Sequence, residues 1–221
     1  MLINSKKLFV KLEIQLMNKN YKIAVFASGS GTNFINIYNN FKLAKVSILI
    51  SNNPKSGAVK FARKNKIDFK IINEFRYPEN IKEVYLNVLK EYHIDLILLA
   101  GFMKKIPNNL IENYKNKIMN VHPSLLPKYG GKGFYGMKVH QHVFKNKDKK
   151  TGATIHFVNS EYDKGPIILQ KELEIADKEN AESISKRVLN IEYELYLKAL
   201  NLYFNNKIEI INNKVIINEE N

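Results

Sequence analysis

The sequence predicts an α/β protein with a mainly parallel twisted sheet, helices on both faces, and mixed strands in its C-terminal half. Three observations carry that prediction. Apolar runs of strand length recur through the first half, segments with helical apolar spacing lie between them, and the runs are apolar on both faces. Strands covered by helices on each side need that pattern, whereas a sheet with one wet face would alternate.

Taken in order, strands are expected at residues 21–27, 46–51, 69–72 and 95–100, with a shorter one at 117–121. Ile81, Val84, Tyr85, Val88 and Leu89 keep the spacing of an amphipathic helix between the third and fourth. Such β–α alternation implies ligands gathered at the carboxyl ends of the strands. The second half differs. Residues 152–159 and 166–175 read as strands separated by a polar loop, and a helix over 181–204 carries Ile184, Val188, Ile191, Leu195 and Ala199 along one face. Residues 207–218 hold two β-rich runs around Asn212-Asn213, the pattern of a hairpin. The expected organisation is a dispensable extension at 1–16, one domain over 17–206 and a hairpin or tail over 207–221.

Composition narrows the function classes. With 221 residues and 45% hydrophobic content the chain can bury one substantial core. No run approaches the roughly 18 apolar residues of a membrane span, and Lys11 and Glu13 interrupt the only stretch resembling a targeting segment, so no membrane partner is expected. The absence of cysteine excludes disulfides, thiolate metal ligands and a cysteine nucleophile, and fits a cytoplasmic location. A net charge of +14 would suit a nucleic-acid binder. The lysines are dispersed among Asn and Ile without a basic block, however, so the charge reads as compositional bias and no nucleic-acid partner is expected.

Three segments carry chemistry. In FASGSGTN, residues 26–33, Gly29 and Gly31 allow a tight strand-to-helix turn whose free amides suit an anion. A third glycine and an acidic ribose ligand, which a dinucleotide site would need, are both missing. In NVHPSLLPKYGGKG, residues 120–133, Asn120 and His122 lie two apart in an extended segment and therefore point to one side, where both can reach a single oxygen. Asp163, in a loop before the apolar run 167–169, is expected to stabilise a charged His122. Read alone, each segment also has a bland meaning: a capped glycine turn, a strand-end hydrogen bond and a turn aspartate. Of the other histidines, His93 reads as a solvated helix cap, His140 and His142 as polar helix surface, and His156 as a satisfied neighbour of the site. No pair has zinc-ligand spacing with a third partner, and no metal is expected.

Together GSGTN at 29–33, LLAGFM at 98–103, NVHPSLLPKYGGKG at 120–133, GATIHFVN at 152–159 and DKGPIILQ at 163–170 stand in an order and spacing that resemble the phosphoribosylglycinamide formyltransferase family, over about 17–204. The resemblance implies a Rossmann-like formyltransferase fold and transfer of a formyl group from 10-formyltetrahydrofolate to the amine of glycinamide ribonucleotide in purine synthesis. It implies catalysis by Asn120, His122 and Asp163, phosphate binding by Gly31, Thr32 and Asn33, and a substrate-binding carboxylate at Glu192. The folate contacts it implies are Met103, Lys104, Lys105 and Ile106 with Asn120, in a monomer or homodimer. The chain departs from the family pattern where Pro78, Glu79 and Asn80 replace a folate-contacting arginine, leaving Arg76 as a stand-in. Lys104 replaces another arginine and loses its bidentate fork, and Leu189 stands at an often polar position. Two sister families fit less well. Methionyl-tRNA formyltransferases would carry glycine in place of Pro123 and a C-terminal RNA-binding domain, and formyltetrahydrofolate deformylases a regulatory domain ahead of the core.

Overall fold

Ile23 and Val25 face one side of the first strand, Ala24 and Phe26 the other, and all four are fully buried. Period-two packing on both faces is what a strand sandwiched between helix layers requires. The computed structural model describes residues 20–218, so the extension expected at 1–16 lies outside the described residues. Seven strands, β1 (Tyr21–Phe26), β2 (Ala44–Ser51), β3 (Phe69–Ile71), β4 (Leu96–Leu99), β5 (Ile118–His122), β6 (Lys150–Phe157) and β7 (Ile167–Glu174), form one sheet in the order β3-β2-β1-β4-β5-β6-β7. The first five pair in parallel, and β6 runs antiparallel to both neighbours.

Six helices accompany them: α1 (Thr32–Asn40), α2 (Gly57–Lys64), α3 (Ile81–Glu91), α4 (Asn108–Asn113), α5 (Met137–Lys145) and α6 (Ala181–Phe204). On one face α1, α2, α5 and α6 pack over Ile23, Val25, Leu98, Met119 and Val121. On the other, α3 and the α4 region pack over Ala24, Phe26, Ile97, Leu99 and Ile118. The 24-residue α6 starts at a capping box between Asn180 and Ser183, which satisfies two amides that the first turn leaves open. Its Tyr196 is fully buried, with the hydroxyl 3.0 and 3.1 Å from the carbonyl oxygens of Leu99 and Met119, which ties this helix to β4 and β5.

The strand order reverses between β1 and β4, so the segments after these strands diverge and leave a crevice at their carboxyl ends. Ser28 laces that rim together. Its Oγ donates to Asn52 Oδ1 at 2.5 Å and accepts from the Met103 amide at 2.8 Å. The expected C-terminal hairpin is present as β8 (Ile208–Ile211) and β9 (Lys214–Ile217), joined by Asn212 and Asn213 at φ 50° and 61°. Two positive-φ residues are what a two-residue type I′ turn demands, and Asn tolerates that region.

Candidate active site

Asn120 and His122 lie at the end of β5 and project to the same side, as their spacing predicts. The segment after them is pinned over β6. Thr154 Oγ1 donates to the Ser124 carbonyl at 2.6 Å and accepts from the Leu126 amide at 3.1 Å, and Gln170 Nε2 donates to the Leu126 carbonyl at 2.9 Å. This anchored turn brings the Tyr129 carbonyl to 2.7 Å from His122 Nε2. A carbonyl only accepts, so the ring carries a proton on Nε2.

Asp163 reaches the cluster from the loop after β6, with its backbone at φ 55°. Gly165 makes that approach possible, because a Cβ there would lie 1.8 Å from the Phe157 carbonyl oxygen. One carboxylate oxygen of Asp163 accepts from the Gly131 amide at 2.8 Å and lies 3.5 Å from His122 Nδ1. The other lies 3.5 Å from Asn120 Nδ2 and 3.6 Å from His156 Nε2. Burial pushes this carboxyl up, but the His156 and His122 rings in their protonated forms and the Gly131 amide together bring it below the ordinary value, so it is ionised near neutrality.

Asp163 raises the His122 pKa, as expected of a carboxylate beside the ring, but burial opposes it. His122 is 3% exposed, and its burial lowers the pKa by more than the Asp163 charge and the Tyr129 carbonyl raise it, with His156 lowering it slightly further. The shift favours the neutral form of the ring, in which Nδ1 is bare and turned toward the carboxylate.

Across the crevice, Gly31 at φ 80° caps α1, whose first turn has neither a capping side chain nor an acidic residue. Its leading amides remain free for an anion. Asn33 is buried and donates to Glu192 Oε2 at 2.6 Å, and its own Oδ1 has no partner among the described residues. Burial drives the Glu192 carboxyl up to about 7, against the opposing Asn33 bond. A cavity of about 530 Å³ joins these groups and is walled further by Phe102, Met103, Lys104, Lys105 and Ile106, a size suited to small ligands.

A model of the formyl transferase family matches residues 21–200 of the chain. The chain belongs to the formyl transferase family. Among its relatives, the phosphoribosylglycinamide formyltransferase, chloroplastic, of Vigna unguiculata is 37% identical over 196 residues, covering 86% of this chain and 63% of that protein. The chain thus spans less than two thirds of that plant relative's length. The phosphoribosylglycinamide formyltransferase of Bacillus subtilis is 33% identical, covering 79% of this chain and 90% of its own. A crystal structure of phosphoribosylglycinamide formyltransferase from Anaplasma phagocytophilum matches with a TM-score of 0.82 at 31% identity, over 92% of this chain and 97% of that one.

Every residue that the family resemblance singles out lies on this one cavity: Asn120, His122 and Asp163, Gly31, Thr32, Asn33 and Glu192, and Met103 to Ile106. Leu189 lines it too, whereas Arg76 does not. Lys104 instead pairs with Glu74 at 3.6 Å, both side chains being exposed. His140 is a correction to the sequence reading. It is 3% exposed rather than polar surface, lines the cavity, and has an enclosed Nδ1 without a partner among the described residues. The helical phase carried a signal for this, since Val139, His140 and Val143 share the buried stripe of α5. His142 is exposed and packs edge-on to Phe134. Tyr129 and Gly131 enter through backbone atoms, which side-chain identity does not report. Among the described residues no group of three or more His, Asp or Glu is arranged to hold a metal ion, and no helix is long and apolar enough to cross a membrane.

Proposed function

We propose that the chain transfers the formyl group of 10-formyltetrahydrofolate to the amine of N1-(5-phospho-D-ribosyl)glycinamide, giving formylglycinamide ribonucleotide and tetrahydrofolate, in purine synthesis de novo. The observation that carries the reading is the convergence on one cavity of an uncapped helix N-terminus, a buried carboxyl and the Asn120–Asp163–His122 cluster. The free amides of α1, at Gly31, Thr32 and Asn33, take the phosphate, and Glu192 takes a polar group of the acceptor nucleotide. Met103 and Ile106 offer apolar surface to the donor's rings, and Lys104 and Lys105 oppose its carboxylates.

Attack of the amine on the formyl carbon places negative charge on the formyl oxygen. The Asn120 amide hydrogen that makes only a 3.5 Å contact with Asp163 turns to that oxygen, a donor worth about 3–4 kcal/mol when well placed. The attacking nitrogen gives its proton to the bare Nδ1 of His122, forming an imidazolium that Asp163 stabilises and that faces the oxyanion. As the carbon–N10 bond breaks, the same proton passes to the leaving folate nitrogen, so the exchange is balanced without net proton release.

Mass detection of the formylated nucleotide, with water and methionyl-tRNA as competing acceptors, tests the reading. Product is expected only with glycinamide ribonucleotide; hydrolysis or formylated tRNA would replace it with a sister activity. The proposal extends to the organisation of the chain: residues 17–206 carry the activity in a cytoplasmic monomer or homodimer, and 1–16 are dispensable. A chain beginning at Met17 is expected to keep its turnover and melting temperature, and a large loss of either would make the extension a working part.

A further inference from the structure

An asparagine amide has two ends of almost equal size, one accepting and one donating, and its neighbours decide which way it points. For Asn120 the question is functional, because only the donating end stabilises an oxyanion. Asn120 and His156 are directly opposed across the antiparallel β5–β6 pair, so the two side chains share one face of the sheet. The β6–β7 register shifts between Ile155 and His156, a bulge of the kind that re-aims a side chain.

His156 is 2% exposed, and both of its nitrogens are committed. Nδ1 lies 2.8 Å from the Phe157 carbonyl oxygen, which only accepts, so the ring proton sits on Nδ1. In the neutral ring Nε2 is then bare, and it lies 3.1 Å from Asn120 Nδ2. Resting on the reading of this cavity as a formyl-transfer site, we propose that His156 is a positioning residue that makes Asn120 a donor, by holding the Nδ1–H tautomer whose bare Nε2 accepts one amide hydrogen.

Its consequences follow from the neighbours. With an acceptor at His156 Nε2 and another at Asp163 Oδ1, the amide must turn its NH₂ toward both. One hydrogen is held at His156, and the second, too far from Asp163 at 3.5 Å for a good bond, stays available to the substrate. The opposite tautomer would put N–H against NH₂ and turn the amide oxygen to the reaction centre, where it would repel the developing charge. The tautomer is thus chosen by a backbone carbonyl, and that carbonyl lies where Gly165 lets the Asp163 loop pass.

The test compares three variants and reads the ring directly. His156→Phe keeps the ring shape without nitrogen, His156→Asn keeps a group near Nδ1, and His156→Gln keeps an acceptor near the reach of Nε2. Turnover is expected to fall at least 10-fold in His156→Phe and His156→Asn with the Michaelis constants of both substrates within about 3-fold, and to return to within about 5-fold of the parent in His156→Gln. A structural role would instead lower all three in step with melting temperature. Nitrogen-15 spectra of the parent protein's His156 ring should show a protonated Nδ1 and a bare Nε2. A protonated Nε2 there, or parental turnover in His156→Phe, overturns the inference. A parent inactive toward glycinamide ribonucleotide overturns the functional reading, and the ring spectra still decide the tautomer.

Discussion

At Asp163 a non-glycine residue holds φ 55°, a region that short polar side chains enter at modest cost and that is over-represented at working sites. The conformation lets one carboxylate face Gly131, His122, Asn120 and His156 together. Asp163→Asn keeps the shape and removes the charge, so turnover is expected to fall about 10²-fold or more with the Michaelis constants little changed. Because the Asp163 charge opposes the burial that lowers the His122 pKa, its loss lowers that pKa further. The proposed step needs the neutral ring to take the amine proton, so activity falls as pH drops through the His122 pKa, and this acid limb should lie at lower pH in the variant than in the parent. Ring titration of His122 by NMR checks the cause, and an equal pKa in both proteins would remove this role. Two glycines nearby separate binding from folding. A Cβ at Gly31 would meet Ala58 at 2.8 Å, so Gly31→Val disturbs the helix contact itself. Gly29 lines the cavity with nothing within 4 Å of its would-be Cβ. Gly29→Ala is therefore the cleaner probe: a several-fold rise in the Michaelis constant for the nucleotide at parental melting temperature is expected, and an unchanged constant would move the phosphate elsewhere.

The element that decides whether the site assembles is the β6–β7 connection. It leaves β6 at Phe157, carries Asp163 over the sheet edge and returns past Gly165 to β7. Gly165→Ala sets a methyl 1.8 Å from the Phe157 carbonyl oxygen, so the backbone must move. A loss of about 1–3 kcal/mol is expected, as for other overpacked sites. Since the same movement displaces Asp163 and the carbonyl that orients His156, turnover should fall by more than instability explains. Chemical denaturation and kinetics on one preparation separate the two; parental stability would mean that the loop relaxes freely.

Across the whole molecule two buried groups pull the pH dependence of stability in opposite directions. Burial lowers His140 from 6.5 to about 4, with the His122 charge adding to it, so its contribution is lost as pH falls from 6.5 toward 4. Burial raises Glu192 from 4.5 to about 7, against the Asn33 bond, so its contribution is present below 4.5 and is lost as pH rises toward 7. Each shift corresponds to roughly 3 kcal/mol over its window. Between about pH 4.5 and 6.5 the two largely cancel. Relative to the parent, His140→Leu should therefore become less stable as pH rises through that window, and Glu192→Gln less stable as pH falls. Urea unfolding at pH 5 and 6.5 measures both, and parallel curves in all three proteins would show that neither group titrates as its burial implies.

The alternation of two-faced strands and helices was legible in the sequence because apolar periodicity is a local property: β1 to β5, α6 and the Asn212-Asn213 hairpin lie where their patterns predict them. The cavity residues were legible only as a set, from ordered motifs, since Asp163 by itself reads as an ordinary turn residue. What tertiary structure alone decided is the state of the groups it brought together. Long-range packing buries His122 and shifts it toward its neutral form, and no local pattern reports how far burial opposes a nearby carboxylate. The backbone partners Tyr129, Gly131 and Phe157 are equally silent in sequence. A peptide group is the same in every residue, and only the fold decides which carbonyl or amide meets which ring.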